Sequence, residues 1–275
     1  MRRPLVLVFL FCVSPANRLR ESQAADTAFM TPDRQREVLR QALSAFDDAV
    51  ACAQHDPAGA QELYRRAAGS FESLVTSGMH SAALEYNLGN TYFRLGMPGH
   101  AILHYRRAER LAPGDEVLRA NLAYARRQAE PHFPARGQER LWQRLLFWHY
   151  GSSLAQRFRT AAVLSGLGWM LLMIRLRWRT PMVLAAGAFA IVLALACGGS
   201  VLAQLSDERA RPPAVVVEGG YLLRLGRGEG YDPALRQSLG AGVEVRILQQ
   251  RGDWVEVRLP NDLTGWLPAA AIERL

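Results

Sequence analysis

His100 and His104 are the two side chains in this sequence whose type and spacing best suit metal chemistry. Two histidines four residues apart on a helix project from one face and can share an ion. No carboxylate or cysteine accompanies them in the sequence. They are therefore expected to be surface histidines, and no metal site is predicted.

Other catalytic patterns are also missing from the sequence. The three cysteines, Cys12, Cys52 and Cys197, are too few and too scattered for a disulfide framework or a zinc site. The run Gly226–Gly230 is rich in glycine, but no helix follows it to bind a phosphate. The parts expected to lie outside the membrane contain no Ser-His-Asp or Cys-His arrangement. The sequence predicts a non-catalytic protein without a cofactor.

Two apolar segments, Thr160 to Ile174 and Pro181 to Leu205, dominate the centre of the chain. The second has 25 residues without a charge, roughly 37 Å of helix against a hydrocarbon core of about 30 Å. The first has 15 residues and is short for a span. Residues 157–205 are predicted to form a two-helix transmembrane hairpin. A buried helical hairpin in a soluble protein is the alternative.

Residues 1–16 are typical of a secretory signal peptide, with Arg2 and Arg3 followed by an apolar run. An uncleaved anchor is the alternative, and either one exports the domain that follows. A hairpin returns the chain to the side it left. Both soluble domains are therefore predicted to be periplasmic, at a bacterial inner membrane, with the basic loop Arg175–Arg179 in the cytoplasm.

Residues 31–128 have a helical pattern throughout. Thr31-Pro32 and Asp56-Pro57 are each an N-cap followed by proline at the first helical position. In the first helix one apolar face is predicted. Its members are Leu39, Leu43, Phe46 and Val50.

The later helices of this domain resemble the tetratricopeptide repeat. The matching residues are Asn87 to Tyr92, Gly96, Ala101, Tyr105, Ala108 and Pro113. Gly89 and Ala101 would let paired helices approach closely, while Glu85 stands where the repeat usually has Trp. The resemblance implies an α-helical tetratricopeptide repeat domain.

The resemblance also implies a peptide-binding groove. Its residues would be Tyr86, Asn90, Phe93 and Arg94, with Asn87 and Asn121 nearby. Asparagine amides suit an extended peptide backbone, which offers one donor and one acceptor per residue. The alternative is that these side chains only stabilise the helical stack.

Residues 129–156 are predicted to be a linker with an amphipathic stretch at the membrane–water interface. Its aromatic and apolar residues are Leu141, Trp142, Leu145, Leu146 and Trp148. After the spans, residues 214–275 alternate with period two around the turn Gly252-Asp253. This region resembles a small all-β bacterial SH3-like barrel. Such a resemblance implies binding of peptidoglycan or protein segments.

The net charge of +8 does not indicate nucleic-acid binding. All 33 basic residues are arginine and are spread along the chain rather than gathered in one stripe. No nucleic-acid partner is predicted.

The order of these segments resembles the BatE-like proteins of the Bacteroides aerotolerance family. That resemblance implies a non-catalytic inner-membrane scaffold. Its implied partners are membrane-anchored von Willebrand factor A proteins and a MoxR-type ATPase. The alternative is an envelope sensor that binds peptidoglycan through its SH3-like domain.

Overall fold

Seven α-helices followed by a seven-stranded antiparallel sheet make up the described part of a computed structural model. The described residues are 30–129, 133, 152–178 and 180–275. They fall into two compact units, one ending at His80 and one beginning at Ser81. The predicted signal peptide and the predicted interfacial stretch Leu141–Trp148 lie outside the described residues.

The first unit contains α1 (Pro32–Cys52) and α2 (Pro57–Thr76). Both helices begin as predicted. The Thr31 hydroxyl accepts a hydrogen bond from the Arg34 amide, and the Asp56 carboxylate accepts one from the Gly59 amide. Each cap thereby satisfies an amide that has no partner within the helix.

The predicted apolar face of α1 is wrong in part. Leu43 and Val50 are 39% and 45% exposed, whereas Val38, Ala42 and Ala49 are buried. The helix buries its small residues because they allow close approach to α2. Leu43 and Val50, each one position after a buried alanine, lie at the edge of this contact and stay partly exposed to solvent.

The second unit begins with three helices that we call the helical stack: α3 (Ala82–Arg94), α4 (Pro98–Leu111) and α5 (Glu116–Gln128). Gly96 has a positive φ of 74° and allows the tight turn between α3 and α4. The predicted close approach at Gly89 is confirmed, because a Cβ there would lie 2.5 Å from Tyr105 Cδ1. Apolar side chains from all three helices of the stack are buried. The largest of them are Leu88, Ile102, Leu103, Leu118 and Leu122.

Two long antiparallel helices follow, α6 (Leu154–Arg177) and α7 (Pro181–Ala210). Both are long and apolar enough to cross a membrane, by length and composition. With 24 residues, α6 is longer than its apolar core suggested and reaches roughly 36 Å. The helices pack closely at Gly168, where a Cβ would lie 3.1 Å from the Gly187 carbonyl oxygen.

The remaining residues form what we call the sheet domain, residues 213–275. Its strand order is β3-β2-β6-β5-β4-β1-β7, and neighbours are antiparallel. The predicted alternation is confirmed, since Val245, Ile247, Val255 and Val257 all enter the core. The strands are β1 (Pro213–Val216), β2 (Tyr221–Arg224), β3 (Pro233–Leu239), β4 (Glu244–Arg251), β5 (Trp254–Arg258), β6 (Thr264–Pro268) and β7 (Ile272–Arg274).

Candidate functional site

Four polar side chains meet between α3, α4 and α5. The Tyr105 hydroxyl donates to Asn90 Oδ1 at 2.7 Å. Asn121 Nδ2 donates to the Tyr86 hydroxyl oxygen at 2.8 Å and to Asn90 Oδ1 at 3.3 Å. Three of the residues predicted for the groove, Tyr86, Asn90 and Asn121, are therefore in direct contact.

This network fixes the orientation of both amide groups. Asn90 Oδ1 is occupied by two donors, so the Asn90 NH2 group points elsewhere. Asn121 uses its NH2 group twice, which leaves its carbonyl oxygen as an acceptor. Neither the Asn90 NH2 group nor Asn121 Oδ1 hydrogen-bonds to another described residue. Both side chains are only partly buried.

Aromatic rings extend the same surface toward the end of α5. The Phe93 and Tyr124 rings make an edge contact with centroids 5.5 Å apart. The Arg127 guanidinium lies 5.2 Å from the Tyr124 ring centroid. Sequence reasoning included Phe93 but missed Tyr124 and Arg127. The spacing Asn121, Tyr124 on one helix face was the available signal. We call the surface formed by Tyr86, Asn90, Phe93, Asn121 and Tyr124 the α3/α5 face.

The other two predicted groove residues, Asn87 and Arg94, are also on α3. Asn87 is half-buried on α3, and its backbone carbonyl accepts from the Thr91 hydroxyl. Arg94 is exposed in the last turn of α3. Its charge acts on Tyr105, so it lies within electrostatic range of the network.

Tyr105 is held in its neutral, donating form. Burial raises the pKa of its hydroxyl well above the ordinary value, and Tyr86 adds to the effect. The positive charge of Arg94 opposes it but is the smaller influence. The Tyr105 hydroxyl therefore remains a donor to Asn90 over the whole physiological range.

The expectation that His104 lies on the surface is wrong. It is 6% exposed, and its Nδ1 lies 2.7 Å from Oε2 of Glu85, which is 3% exposed. The carboxylate partner comes from α3, 19 residues earlier in the chain, and no local pattern pointed to this contact. His100 is half-buried and stacks on Tyr92 with ring centroids 4.9 Å apart. Among the described residues no group of three His, Cys, Asp or Glu could hold a metal.

The sheet domain packs directly on α4 and α5. Glu244 Oε1 accepts a hydrogen bond from Arg126 Nε at 2.6 Å, and Glu244 Oε2 forms an ion pair with Arg106 Nε at 3.0 Å. Burial alone would raise the pKa of Glu244, but the two guanidinium groups outweigh it and hold that pKa below its ordinary value. Arg107 adds a 2.8 Å ion pair with Glu273. Neither the residues nor the interface was predicted from sequence.

A polar chain of contacts joins the hairpin to the helical stack. Arg157 on α6 donates to the Ser200 hydroxyl at 2.7 Å and also hydrogen-bonds to Gln204 on α7. Gln204 donates to Glu208 at 2.8 Å, and Glu208 pairs with Arg110 at the end of α4. The stack and the sheet domain therefore adjoin the same end of the hairpin.

No protein-family model, curated protein or solved structure matches this chain.

Proposed function

We propose that the chain is a non-catalytic scaffold of the bacterial inner membrane, similar to the BatE-like proteins. On this proposal α6 and α7 cross the membrane. The helical stack is a tetratricopeptide repeat module, and the sheet domain is an SH3-like barrel. Both are periplasmic and serve protein–protein interaction. By resemblance the partners are von Willebrand factor A membrane proteins and a MoxR-type ATPase system.

The observation that carries this proposal is the pair of unused amide groups on the α3/α5 face. Asn90 offers a donor and Asn121 offers an acceptor, and the two side chains are already in contact. An extended chain presents the complementary acceptor and donor along its backbone. Phe93 and Tyr124 supply an apolar surface beside them for the partner's side chains.

Membrane topology is supported by the contacts at the hairpin end. The Arg110–Glu208 pair brings α4 to the end of α7 from which the sheet domain continues. Large apolar side chains on the outer surfaces of both helices suit lipid. They include Phe158, Leu167, Trp169, Phe189, Val192 and Leu195.

A protease experiment tests the topology. Spheroplasts of a Gram-negative bacterium that produces the full chain are treated with protease, and fragments are followed with tags at both soluble domains. We expect both domains to be digested while a fragment containing α6 and α7 survives. Protection of either soluble domain contradicts the proposed topology.

Chemical crosslinking in the same intact cells tests the scaffold role. After solubilisation the chain is purified and covalent partners are identified. We expect membrane proteins with von Willebrand factor A domains, recovered less well from Phe93→Ala than from the matched surface variant Arg119→Ala. Equal recovery from both variants would contradict binding at the α3/α5 face and would place the binding surface elsewhere on the chain.

A peptidoglycan sensor is the second candidate, and one surface of the sheet domain favours it. Tyr231 and Leu225 are 54% and 64% exposed in the β2–β3 connection. The Arg227 guanidinium lies 5.7 Å from the Trp266 ring centroid. Aromatic surfaces with a nearby cation can bind sugar and peptide groups. Co-sedimentation of the detergent-solubilised chain with purified sacculi, lost in Tyr231→Ala, would support this function.

A further inference from the structure

Two residues of the sheet domain lie against both α4 and the C-terminal part of α5 or the residue that follows it. Glu244 binds Arg106 of α4 and Arg126 of α5. Gly242 is the other, since a Cβ there would lie 2.6 Å from Ile102 Cδ1 and 3.0 Å from Cβ of Ala129, which follows α5. The sheet domain therefore spans the junction between α4 and α5.

The backbones also come close at this junction. A Cβ at Gly99, in the first turn of α4, would lie 2.5 Å from the Val217 carbonyl oxygen. Gly242 has a φ of 98°, in the left-handed region that favours glycine. Its amide donates to the Val216 carbonyl at 2.7 Å, which fixes the turn against β1. Glycine at both positions permits a contact that any larger residue would obstruct.

The last helix of a stack benefits from a second neighbour. In repeat proteins stability is approximately a sum of the stabilities of the single repeats and of the interfaces between neighbours, so a terminal helix gains stability from any element that covers its free side. With 13 residues, α5 is short enough to be marginal as an isolated helix. It buries Leu118, Leu122 and Ala125 within the stack. A further helix following α5 would have to pack against both α4 and α5.

We infer that the sheet domain is the terminal cap of the helical stack and holds α5 in place through Glu244 and Gly242. It occupies the position that a following helix would take. Because α5 carries Asn121 and Tyr124, the sheet domain also sets the geometry of the α3/α5 face without being part of it. This last consequence for partner binding rests on the proposed function, whereas the packing role does not.

Hydrogen exchange of the full chain in detergent micelles tests the cap. Glu244→Gln keeps the size of the side chain but removes the charge that faces Arg106 and Arg126. We expect amides of α5 to exchange roughly tenfold faster in this variant, because opening of α5 requires less free energy. Peptides from α1 and α2, which belong to the first unit, and from strands β2 and β3 are expected to keep wild-type rates, so that the effect of the substitution is local.

The matched control is Glu256→Gln on the neighbouring strand β5. Its carboxylate accepts from Gln249 at 2.6 Å and forms no hydrogen bond or ion pair with the described helices. Wild-type exchange of α5 in Glu256→Gln, with faster exchange in Glu244→Gln, supports the cap. Equal α5 rates in wild type and Glu244→Gln overturn it.

A second variant separates packing from charge. Gly242→Val would push Ile102 and Ala129 away while leaving Glu244 in place. Faster exchange confined to α4, α5 and the adjoining β1 supports the cap. Exchange that rises equally in every strand would mean that Gly242→Val unfolds the sheet domain. In that case the test of the cap rests on Glu244→Gln alone. None of these measurements needs a partner, so a failed partner search contradicts only the proposed function.

Discussion

His104 Nδ1 lies 2.7 Å from Glu85 Oε2, and both side chains are buried between α3 and α4. Tyr92 covers the pair, with its ring 5.4 Å from the His104 ring and nearly parallel to it. A buried carboxylate requires such a partner because removal from water penalises an isolated polar group.

Removal of one member of this pair is therefore expected to destabilise the helical stack. His104→Leu leaves the buried Glu85 side chain without its hydrogen-bond partner, at a cost of roughly 1–3 kcal/mol. The double variant Glu85→Leu, His104→Leu removes both polar groups and should recover most of that loss. Denaturant unfolding of the detergent-solubilised chain measures both. A single variant as stable as wild type would show that the pair is not needed.

Two helical glycines should respond in opposite directions to the same substitution. A Cβ at Gly69 on α2 would meet nothing within 4 Å, so Gly69→Ala should stabilise its helix by about 0.5–1 kcal/mol. Gly89→Ala places its methyl 2.5 Å from Tyr105 Cδ1 and should destabilise the stack by about 1–3 kcal/mol. Local opening free energies from amide exchange test this, and equal effects would contradict the packing at Gly89.

The hairpin should show the same contrast within one helix. In Gly168→Leu the new side chain meets Ile191, whose Cγ1 lies 2.6 Å from the Cβ position, so α6 and α7 must separate. Gly166 faces open space, and Gly166→Leu is the matched control. We expect a lower melting temperature in detergent for Gly168→Leu only. The close packing at Gly168 would be contradicted if both variants melted like wild type.

The Glu244 contacts should weaken in acid. Because the folded pKa of Glu244 lies below its ordinary value, its stabilising effect is complete above about pH 4.3 and is lost as the pH falls through the folded pKa. The difference in α5 exchange between wild type and Glu244→Gln, compared at equal pH, should therefore shrink below about pH 4. A difference that stays constant down to about pH 2 would contradict the ion-pair account.

Local signals in the sequence predicted the elements well. Proline after Thr31 and Asp56 marked two helix starts, and the alternation around Gly252 marked the β4–β5 hairpin. Such signals work because capping and alternating burial depend on residues only a few positions apart. The close approach at Gly89 was instead implied by the resemblance to the tetratricopeptide repeat.

Contacts between distant residues could not be predicted in this way. Glu85 and His104 are 19 positions apart, and Arg126 and Glu244 are 118 apart. In the sequence these residues look like ordinary exposed charged or polar residues. Their partners become apparent only when the helices and the sheet domain are packed together. The prediction of the buried face of α1 was wrong in part for a related reason. Whether Leu43 or Ala42 is buried depends on how closely α2 approaches, and α2 is a separate helix.

Site-specific photo-crosslinking tests the central claim, that the α3/α5 face binds a protein segment. A photoreactive phenylalanine analogue replaces Tyr124, which is 49% exposed on that face, or Arg119, whose side chain is 53% exposed elsewhere on α5. Intact cells are irradiated and adducts of the full chain are identified. We expect a discrete protein adduct from position 124 and none from position 119. No adduct at 124, or the same adducts at both positions, would contradict the claim.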